Sequence, residues 1–549
     1  MGILVFTQTG NVSFGQFIDD TTFTGGSAGT SLSIGSFKTS LGLTLGSGDF
    51  LTYLLADGVM NNAFFGGQSS DAPLNTYGLI ADQLRIYGGN GDNHIEVTSA
   101  GSAMIFAGAG NDYIKINDGR DAFINPGAGA DTMIGGGERD TYFVDDVGDQ
   151  VIELGGVWGP PDTVTTTLLT YTLGAGIEGL NLAEGNASGY GNELDNRMFG
   201  SDGDNVLNGF AGNNELYGGD GNDRFLVTSD HSRNFVGGGN GDDTLVYKQG
   251  LGGGEDPWAF NHGQSAYFEG GAGTDNAALD FSLAQSVTAT VNGNAVVYDI
   301  LGADGYHSTV TLTSVERVNI IGSAAADTFY GASGKDWIDA GAGADTVHGS
   351  AGDDGYVFDN AGDRVVDEAA GGGTDTIWAT VNVNLNDNAY VENLRMNGSA
   401  NINGIGNGLA NMITGNAGNN IIAGGAGNDS LYGKGGADTF HFNEMGAANK
   451  DSIWDFDAND KISLGNAFTG LDLDNNGVVD AASFEVVSKW GAVGTKAGPE
   501  LIYNTASGIL AYDADGAGTA HAAQDIAFIG ANKAFFDHSD ILINSSLLV

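Results

Sequence analysis

The chain has 549 residues, with 93 glycines, no cysteine and a formal net charge of −50. This charge makes nucleic acids and anionic membrane surfaces poor partners and favours bound cations, because so acidic a fold repels itself. The lack of cysteine excludes disulfides and thiolate metal sites, and no run of about 18 apolar residues is present to span a membrane. The first residues, MGILVFTQTGNVSFG, have neither the basic nor the apolar region of a Sec signal peptide.

Short runs of a nine-residue repeat alternate with segments of alternating apolar and polar residues, and both features predict β-structure with no long helix. In chain order we expect a docking or capping β region (1–86), a first repeat run (87–146), a linking β segment (147–195), a second run (196–248), a β segment (249–321), a third run (322–358), a linking β segment (359–403), a fourth run (404–442) and a C-terminal flank (443–549). The segment 359–403 repeats the sequence of 145–190 at an offset of about 214 residues, so the chain consists of two related halves with added ends.

The N-terminal region 1–86 is rich in Ser, Thr and Gly. Its apolar stretch FLTYLLADGVMNNAFF (50–65) is a candidate surface for docking onto a neighbour. The alternative is that this region simply caps the first repeat run.

The repeat has the form G-G-x-G-x-[DN]-x-U-x, where U is a large apolar residue, and it places Asp or Asn at the sixth position. These sixth positions are Asn93, Asp112, Asp121, Asp131 and Asp140 in a looser first series; Asn196, Asn205, Asn214, Asp223, Asn234 and Asp243 in the second; Asp327, Asp336, Asp345 and Asp354 in the third; and Asn411, Asn420, Asp429 and Asp438 in the fourth. Steps of nine dominate all but the first series, which glycine content alone does not explain.

The chemistry of this repeat favours calcium. Glycine-rich turns adopt positive φ and expose backbone carbonyls, and an Asp at the end of the turn adds a hard anionic oxygen. Ca²⁺ takes six to eight oxygen ligands in flexible geometry, more than one turn supplies. We therefore expect each ion to lie between two stacked turns, with the U side chains forming the core.

The repeat runs resemble the RTX (repeats-in-toxin) family of nonapeptides. The resemblance implies that two nonapeptides form one turn of a right-handed parallel β-roll with calcium between loops. The expected fold class is therefore all-β, with tandem parallel β-roll segments and flanking β-strand regions. The aspartate ligands that the resemblance implies are Asp112, Asp121, Asp131, Asp140, Asp223, Asp243, Asp327, Asp336, Asp345, Asp354, Asp429 and Asp438. Carbonyl ligands are expected at Gly219, Gly221, Gly239, Gly241, Gly341, Gly343, Gly425 and Gly427.

Asparagine replaces aspartate at several sixth positions and offers only a neutral oxygen. We expect those positions to bind calcium weakly or not at all, and to hold side-chain hydrogen-bond ladders instead. The alternative for the whole array is a Gly/Asn-rich solenoid without calcium.

The C-terminal segments DSIWDFDANDKISL (451–464) and ELIYNTASGILAYDADGAGTAHAAQDIAFI (500–529), with the end HSDILINSSLLV, resemble the flank of serralysin-type metalloproteases and other RTX proteins. In that family the flank caps the roll and carries an uncleaved signal for type I secretion. Asp513 and Asp515, before Gly516, are candidates for a further calcium site, with an Asx turn as the alternative.

The segment DLDNNGVVDAASF (472–484) resembles an EF-hand loop. Asp472, Asp474, Asn476 and Asp480 lie at positions 1, 3, 5 and 9, but Ser483 replaces the bidentate Glu at position 12. A lone calcium loop and a plain acidic turn both remain open.

The sequence contains no H-E-x-x-H motif, and its eight histidines are scattered. The G-x-S-x-G motif at 25–29 precedes a strand or loop, whereas a nucleophile elbow needs a following helix. A glycosidase-type pair among the 69 acidic residues is not excluded. We expect that the chain is not an enzyme.

The most consistent function is a secreted, calcium-binding structural protein that self-assembles as a lattice or filament in a surface layer or extracellular matrix. The expected cofactor is Ca²⁺ at several sites, and the expected partners are further copies of the chain, cell-surface polysaccharide and the type I secretion machinery. One alternative is a calcium-dependent adhesin that binds glycans or surfaces, with an aromatic cluster within 252–268. A second alternative is a secreted hydrolase with an unrecognised site.

Overall fold

The structure, a computed structural model, describes residues 91–543 except for 101, 118–120, 155–160, 230–231, 250–263, 304, 367–371, 389, 490–495 and 519–520. Before residue 91 it describes the backbone of seven strands, Val12–Phe14, Thr21–Thr24, Leu32–Ile34, Ser40–Leu45, Asn62–Gly67, Asn75–Ala81 and Leu84–Tyr87. The motif at 25–29, residues 50–61 of the apolar stretch, residues 252–263 of the aromatic segment and the last six residues lie outside the described residues. The chain forms two compact units, one of residues 1–275 with 311–314, the other of residues 276–310 with 315–549.

The nine-residue step alternates between two columns of parallel strands. Met198 pairs with Leu216 in one column, and Leu207 pairs with Phe225 in the other. All four side chains, which are U residues of successive nonapeptides, are 0% exposed. Two nonapeptides therefore make one turn, and the U residues of both columns form the core between them.

In the first unit both columns consist of parallel strands. One column contains Thr21–Thr24, Ser40–Leu45, Asn62–Gly67, Leu84–Tyr87, Ala103–Ala109, Ala122–Ala128, Asp140–Val144, Thr163–Thr166, Gly179–Leu182, Arg197–Phe199, Glu215–Asp220, Arg233–Asn240 and Gln264–Ala272. The other contains Asn75–Ala81, His94–Ala100, Tyr113–Ile116, Thr132–Ile134 and Gln150–Ile152, followed by Thr170–Thr172, Ser188–Asn192, Val206–Phe210, Arg224–Ser229 and Thr244–Gln249. Val12–Phe14 pairs in parallel with Leu32–Ile34.

The second unit repeats this architecture. It contains Asn276–Asp280, the antiparallel hairpin of Ser286–Asn292 with Ala295–Leu301, and His307–Thr313, of which residues 311–313 are assigned to the first unit. Its parallel columns contain Arg317–Ile321, Thr328–Tyr330, Trp337–Asp339, Thr346–His348, Gly355–Phe358, Arg364–Val366, Thr376–Ala379, Val383–Asn384, Asn393–Met396, Gly404–Ile405, Met412–Thr414, Ile421–Ala423, Ser430–Tyr432, Thr439–Phe442, Asp451–Ile453, Lys461–Leu464 and Ile541–Ile543. A cap follows, formed by Phe484–Val487, Glu500–Asn504, Ile509–Asp513 and Gln524–Phe528.

The helices in the described part of the chain are three short 3₁₀ turns, Leu385–Asp387, Ala481–Ser483 and His538–Asp540. None of the described helices has the length and apolarity needed to cross a membrane. The predicted all-β fold with parallel β-roll segments is confirmed.

Candidate metal centres

The sixth-position side chains form rows that run from turn to turn inside each unit. Along a row, the backbone N–H of one turn donates to the Oδ1 of the next turn's side chain. Asn205 N donates to Asp223 Oδ1 at 2.8 Å, and Asp223 N donates to Asp243 Oδ1 at 2.8 Å. The row ends with Asp243 N donating to Asp275 Oδ1. This bond uses one carboxylate oxygen of each aspartate that accepts it and gives the side chains along the row the same orientation.

Eight such rows are present among the described residues. The first unit holds Asn93–Asp112–Asp131–Asp149, Asp140–Asp162, Asn196–Asn214–Asn234 and Asn205–Asp223–Asp243–Asp275. The second holds Asp327–Asp345–Asp363, Asp336–Asp354–Asp375, Asn411–Asp429–Asp451 and Asn420–Asp438–Asp460.

At six of these aspartates the other oxygen, Oδ2, is buried and has no hydrogen-bond partner. We call these the open rungs, and they are Asp112, Asp131, Asp223, Asp243, Asp345 and Asp429. A buried carboxylate oxygen without a donor is unfavourable, and a hard cation compensates it better than any neutral group. The open rungs therefore fit Ca²⁺.

The open rungs share a backbone feature. In each, the residues four and two positions before the aspartate are glycines with positive φ, as in Gly425 (+87°) and Gly427 (+131°) before Asp429. The other pairs are Gly108 and Gly110, Gly127 and Gly129, Gly219 and Gly221, Gly239 and Gly241, and Gly341 and Gly343. In this turn no N–H group donates to Oδ2. We call a rung closed where a protein group does donate to that oxygen. All eight glycines expected to supply carbonyls belong to such turns.

Three predicted ligands lie in closed rungs. The N–H of the residue four positions earlier donates to Oδ2 in each case, from Ser323 to Asp327 at 2.8 Å and from Ala332 to Asp336 at 2.6 Å. Gly136 N donates in the same way to Asp140 Oδ2 at 2.9 Å. These carboxylates have both oxygens hydrogen-bonded to the protein, so they need a cation less than the open rungs do.

The asparagine rungs are closed by their own amides. Asn214 Nδ2 donates to the carbonyls of Phe210, Ala211 and Gly212 at 3.1–3.3 Å. Asn420 Nδ2 donates to Ile402 O at 2.8 Å. The Asn214 amide thus faces the carbonyls of its own turn, whereas the Asn420 amide faces the preceding turn and its Oδ1 accepts from Asn416 N at 2.9 Å, so both side chains are satisfied without a charge.

Burial perturbs the protonation of the open rungs. It raises the pKa of Asp345 to about 7, with the charges of Asp363 and Asp327 adding to the effect. Burial raises the pKa of Asp131 and of Asp243 to about 7 as well. Without a cation these carboxyls are therefore partly protonated near neutral pH, and calcium must displace protons to bind.

One predicted ligand, Asp121, requires correction. It is exposed, and Ala122 stands opposite Asp140 in the strand register. Ala122 N, not Asp121 N, donates to Asp140 Oδ1 at 2.9 Å. The irregular step in this part of the sequence displaces Asp121 from the row by one residue.

Seven row members were not predicted from the repeat spacing. They are Asp149, Asp162, Asp275, Asp363, Asp375, Asp451 and Asp460. Asp149 and Asp363 lie 18 residues after a predicted aspartate, so counting two repeats forward finds them. The step to Asp451 and to Asp460 is 22 residues, because a longer loop interrupts the nonapeptide period.

A second, exposed ladder occupies the fifth position of the repeat, which the sequence analysis did not assign. Here the side chain of one turn accepts from the backbone of the next, as in Asn222 N to Asp204 Oδ1 at 2.8 Å and Asp242 N to Asn222 Oδ1 at 2.7 Å. The recurrence of Asn or Asp directly before the sixth position is the sequence signal for it.

The two C-terminal candidates form local turns. In the EF-hand-like loop, Asp472 accepts from the N–H groups of Asn476 and Gly477, Asp474 accepts from Asn476, and Asp480 accepts from Leu473. The 3₁₀ turn Ala481–Ser483 follows instead of an α-helix.

Asp513 forms an Asx turn, which was the alternative to a calcium site at Asp513 and Asp515, since its Oδ1 accepts from Asp515 N at 3.2 Å and Gly516 N at 3.0 Å. Asp515 Oδ2 accepts from His521 N at 3.3 Å.

Glu153 joins the two aspartates of the Asp140–Asp162 row, and the three residues bring carboxylate oxygens within 4.8 Å of one another. Tyr142 OH donates to Glu153 Oε2 at 2.7 Å. The second half repeats the Asp140, Tyr142 and Asp162 part of this arrangement 213 to 214 residues later, where Tyr356 OH donates to Asp354 Oδ2 at 3.3 Å and Asp354 N donates to Asp375 Oδ1 at 2.9 Å.

The described part of the aromatic segment is not an exposed cluster. Phe268 is 0% exposed and belongs to the core. Tyr267 instead ends a row of outward rings in the first unit, formed by Phe199, Tyr217, Phe235 and Tyr267 with centroid distances of 5.0, 5.6 and 5.3 Å. The first and last pairs are stacked, and the middle pair is tilted by 47°. We call this the aromatic row.

The rows and turns define a parallel β-roll with oxygen-lined positions for hard cations. The RTX calcium-binding nonapeptide repeat matches residues 123–151, 190–225, 321–356 and 405–440. The chain therefore carries RTX calcium-binding repeats, as the motif predicted.

The extracellular lipase LipA from Serratia marcescens is similar in structure at 14% identity, over 70% of this chain and 45% of the lipase chain, with a TM-score of 0.13. This chain thus spans less than half of that protein. No curated protein matches the sequence.

Proposed function

We propose that the chain is a secreted structural protein whose rolls fold on calcium outside the cell and then assemble in a surface layer or matrix, without catalytic activity. The observation that supports calcium-driven folding best is the set of open rungs, whose Oδ2 oxygens are buried without a partner. RTX-repeat proteins are typically secreted, which agrees with this role.

The charge explains why folding would depend on calcium. Neighbouring rungs of a row, such as Asp223 and Asp243, place two carboxylates on successive turns, within a chain of net charge −50. Where free calcium is scarce, repulsion and burial disfavour the roll, and an unfolded chain suits type I secretion. Outside, calcium binds the folded state alone and stabilises it by mass action.

Assembly is supported by the aromatic row. Its rings lie on the outside of the first unit, where Phe199 is 37% exposed, and Arg197 lies over the Phe199 ring with Cζ 5.1 Å from its centroid. An ordered row of rings on a rigid solenoid is a repetitive surface on which a second copy can stack.

The experiment compares the purified full chain in EGTA and after addition of CaCl₂, by light scattering and negative-stain imaging. Sheets or filaments that form only with calcium are expected. A variant with Phe199→Ser and Tyr217→Ser should fold with calcium, as judged by circular dichroism, and assemble poorly. A wild-type chain that folds with calcium and stays monomeric at all concentrations contradicts the assembly role.

The aromatic row also favours a second candidate, a calcium-dependent adhesin, because aromatic faces stack on sugar rings. A glycan array probed with the calcium-loaded monomer tests it, and Phe199→Ser should abolish binding. A hydrolase role predicts turnover of ester or glycoside substrates by the calcium-loaded chain, which we do not expect.

A further inference from the structure

The C-terminal cap contains a carboxylate that no repeat accounts for. Glu500 begins the strand Glu500–Asn504 and is 0% exposed. Neither Oε1 nor Oε2 has a hydrogen-bond partner. Charged side chains are almost never buried without a partner, so this site needs something the protein itself does not supply.

The surroundings of Glu500 are acidic. Asp513, 3% exposed, stands directly opposite it on the antiparallel strand Ile509–Asp513. Glu485, on the parallel neighbour, pairs with Ile502, two residues along from Glu500, so its side chain points to the same face of the sheet. Burial raises the pKa of Glu500 to about 7, and the charges of Glu485 and Asp513 add to the rise.

The nearby cation offsets this only in part, because burial and the charges of Glu485 and Asp513 raise the pKa of Glu500 more than the charge and the backbone N–H of Lys496 lower it. Lys496 Nζ donates to Ala481 O at 3.2 Å and to Phe484 O at 2.6 Å, which directs the ammonium to backbone carbonyls. A divalent cation satisfies both oxygens at once.

Backbone oxygens lie at the same end of the hairpin. Ala497 bridges Gly516, which continues the pairing of Glu500 with Asp513 by three residues. The carbonyl oxygens of Lys496 and Gly498 both lie beside Gly516, whose φ is +57°, and Lys496 O accepts from Ala517 N at 2.8 Å. Carboxylate and carbonyl oxygens are the ligands that Ca²⁺ prefers.

We propose that Glu500 and Asp513 bind a divalent cation, Ca²⁺, inside the C-terminal cap, at a site separate from the nonapeptide rows. A cation at this site stabilises the hairpin of the cap, formed by Glu500–Asn504 and Ile509–Asp513, and not the turns of the roll. Sequence spacing pointed to Asp513 and Asp515, but nothing in it singled out Glu500.

The test is hydrogen exchange with mass spectrometry on the intact, calcium-stripped chain during titration with CaCl₂. In the wild type, exchange in peptides covering 496–517 should slow about tenfold when free calcium is about ten times the dissociation constant. In Glu500→Gln this slowing should be lost, while peptides covering 219–243 respond as in the wild type. Glu184→Gln, the same change at an exposed residue of the first unit, should behave as the wild type. Equilibrium dialysis should count one bound calcium fewer for Glu500→Gln.

A cap that slows equally in Glu500→Gln and in the wild type overturns the proposal, because calcium would then act on the cap through the roll. If Glu500→Gln leaves the cap unfolded, the same calcium titration is carried out on Asp513→Asn. That variant should need more calcium for the same slowing, and an unchanged titration overturns the site. If exchange in peptides covering 219–243 does not change with calcium, that result contradicts the proposed function but not this site.

Discussion

Replacing Asp243 by Asn should change the stability of the protein in opposite directions with and without calcium. Asp243 is 1% exposed, its Oδ1 accepts from Asp223 N at 2.8 Å, and its Oδ2 has no partner. An asparagine keeps the Oδ1 bond and places an amide where Oδ2 stood. Asn214, in the Asn196–Asn214–Asn234 row, shows the result, since its Oδ1 accepts from Asn196 N at 2.9 Å and its Nδ2 donates to the carbonyls of Phe210, Ala211 and Gly212.

The calcium-free magnitude follows from the pKa of Asp243, which burial raises to about 7. A rise from an ordinary value near 4 to about 7 corresponds to at most about 4 kcal/mol against the folded state above pH 7, at about 1.4 kcal/mol for each tenfold change in the protonation equilibrium. The penalty is absent below about pH 4, where the carboxyl is protonated in both states. The variant should therefore be more stable than the wild type in EGTA at pH 7.5, by up to about 4 kcal/mol.

With calcium the sign reverses, because the variant loses a ligand. A site at 100 times its dissociation constant stabilises the folded state by about 2.7 kcal/mol, and much of that is lost. The assay is urea unfolding followed by circular dichroism, in EGTA and in CaCl₂. Asp202→Asn, at an exposed position, is the control and should shift neither curve. Equal destabilisation of Asp243→Asn in both conditions would refute the reasoning, since it would mean that protein groups alone hold the carboxylate.

In metal-stripped protein, the free energy of unfolding should fall as pH rises from about 4 to about 7, because open rungs such as Asp131 have a raised pKa in the folded state. Saturating calcium should remove most of this pH dependence, which thermal melts measure. Asn420→Asp should destabilise by about 1–3 kcal/mol with and without calcium, because it removes the donor to Ile402 O in a closed rung. A gain in the stability of Asn420→Asp on addition of calcium would contradict the classification of this rung as closed. Gly427→Ala should lower both stability, by at least about 1 kcal/mol, and calcium affinity measured by calorimetry, because φ is +131° there. Gly408→Ala, where a Cβ meets nothing, is its control, and equal effects of the two would refute the role of the turn.

Much of the architecture follows from local sequence. The nine-residue step sends Met198 and Leu207 to alternate columns, and the polar sixth positions mark the rows. The repeat also indicates calcium, because glycine turns and aspartates supply only hard oxygen. These inferences hold because each turn of a solenoid contacts its immediate neighbours, so a short period in the sequence is a period in space.

The sequence by itself determined the β-roll, its core residues, most members of its rows and the kind of ion they suit. The tertiary structure showed that open rungs such as Asp345 differ from closed rungs such as Asp327, because the N–H four residues earlier donates to Oδ2 only in the closed ones; glycines four and two positions earlier mark the open rungs in the sequence. It also showed that Asp121 lies outside its row and that Asp451 and Asp460 join their rows across longer loops. Finally, it showed that Glu500 is buried opposite Asp513. The partners of Asp451, Asp460 and Glu500 lie outside the repeating period, so no count along the chain reveals them.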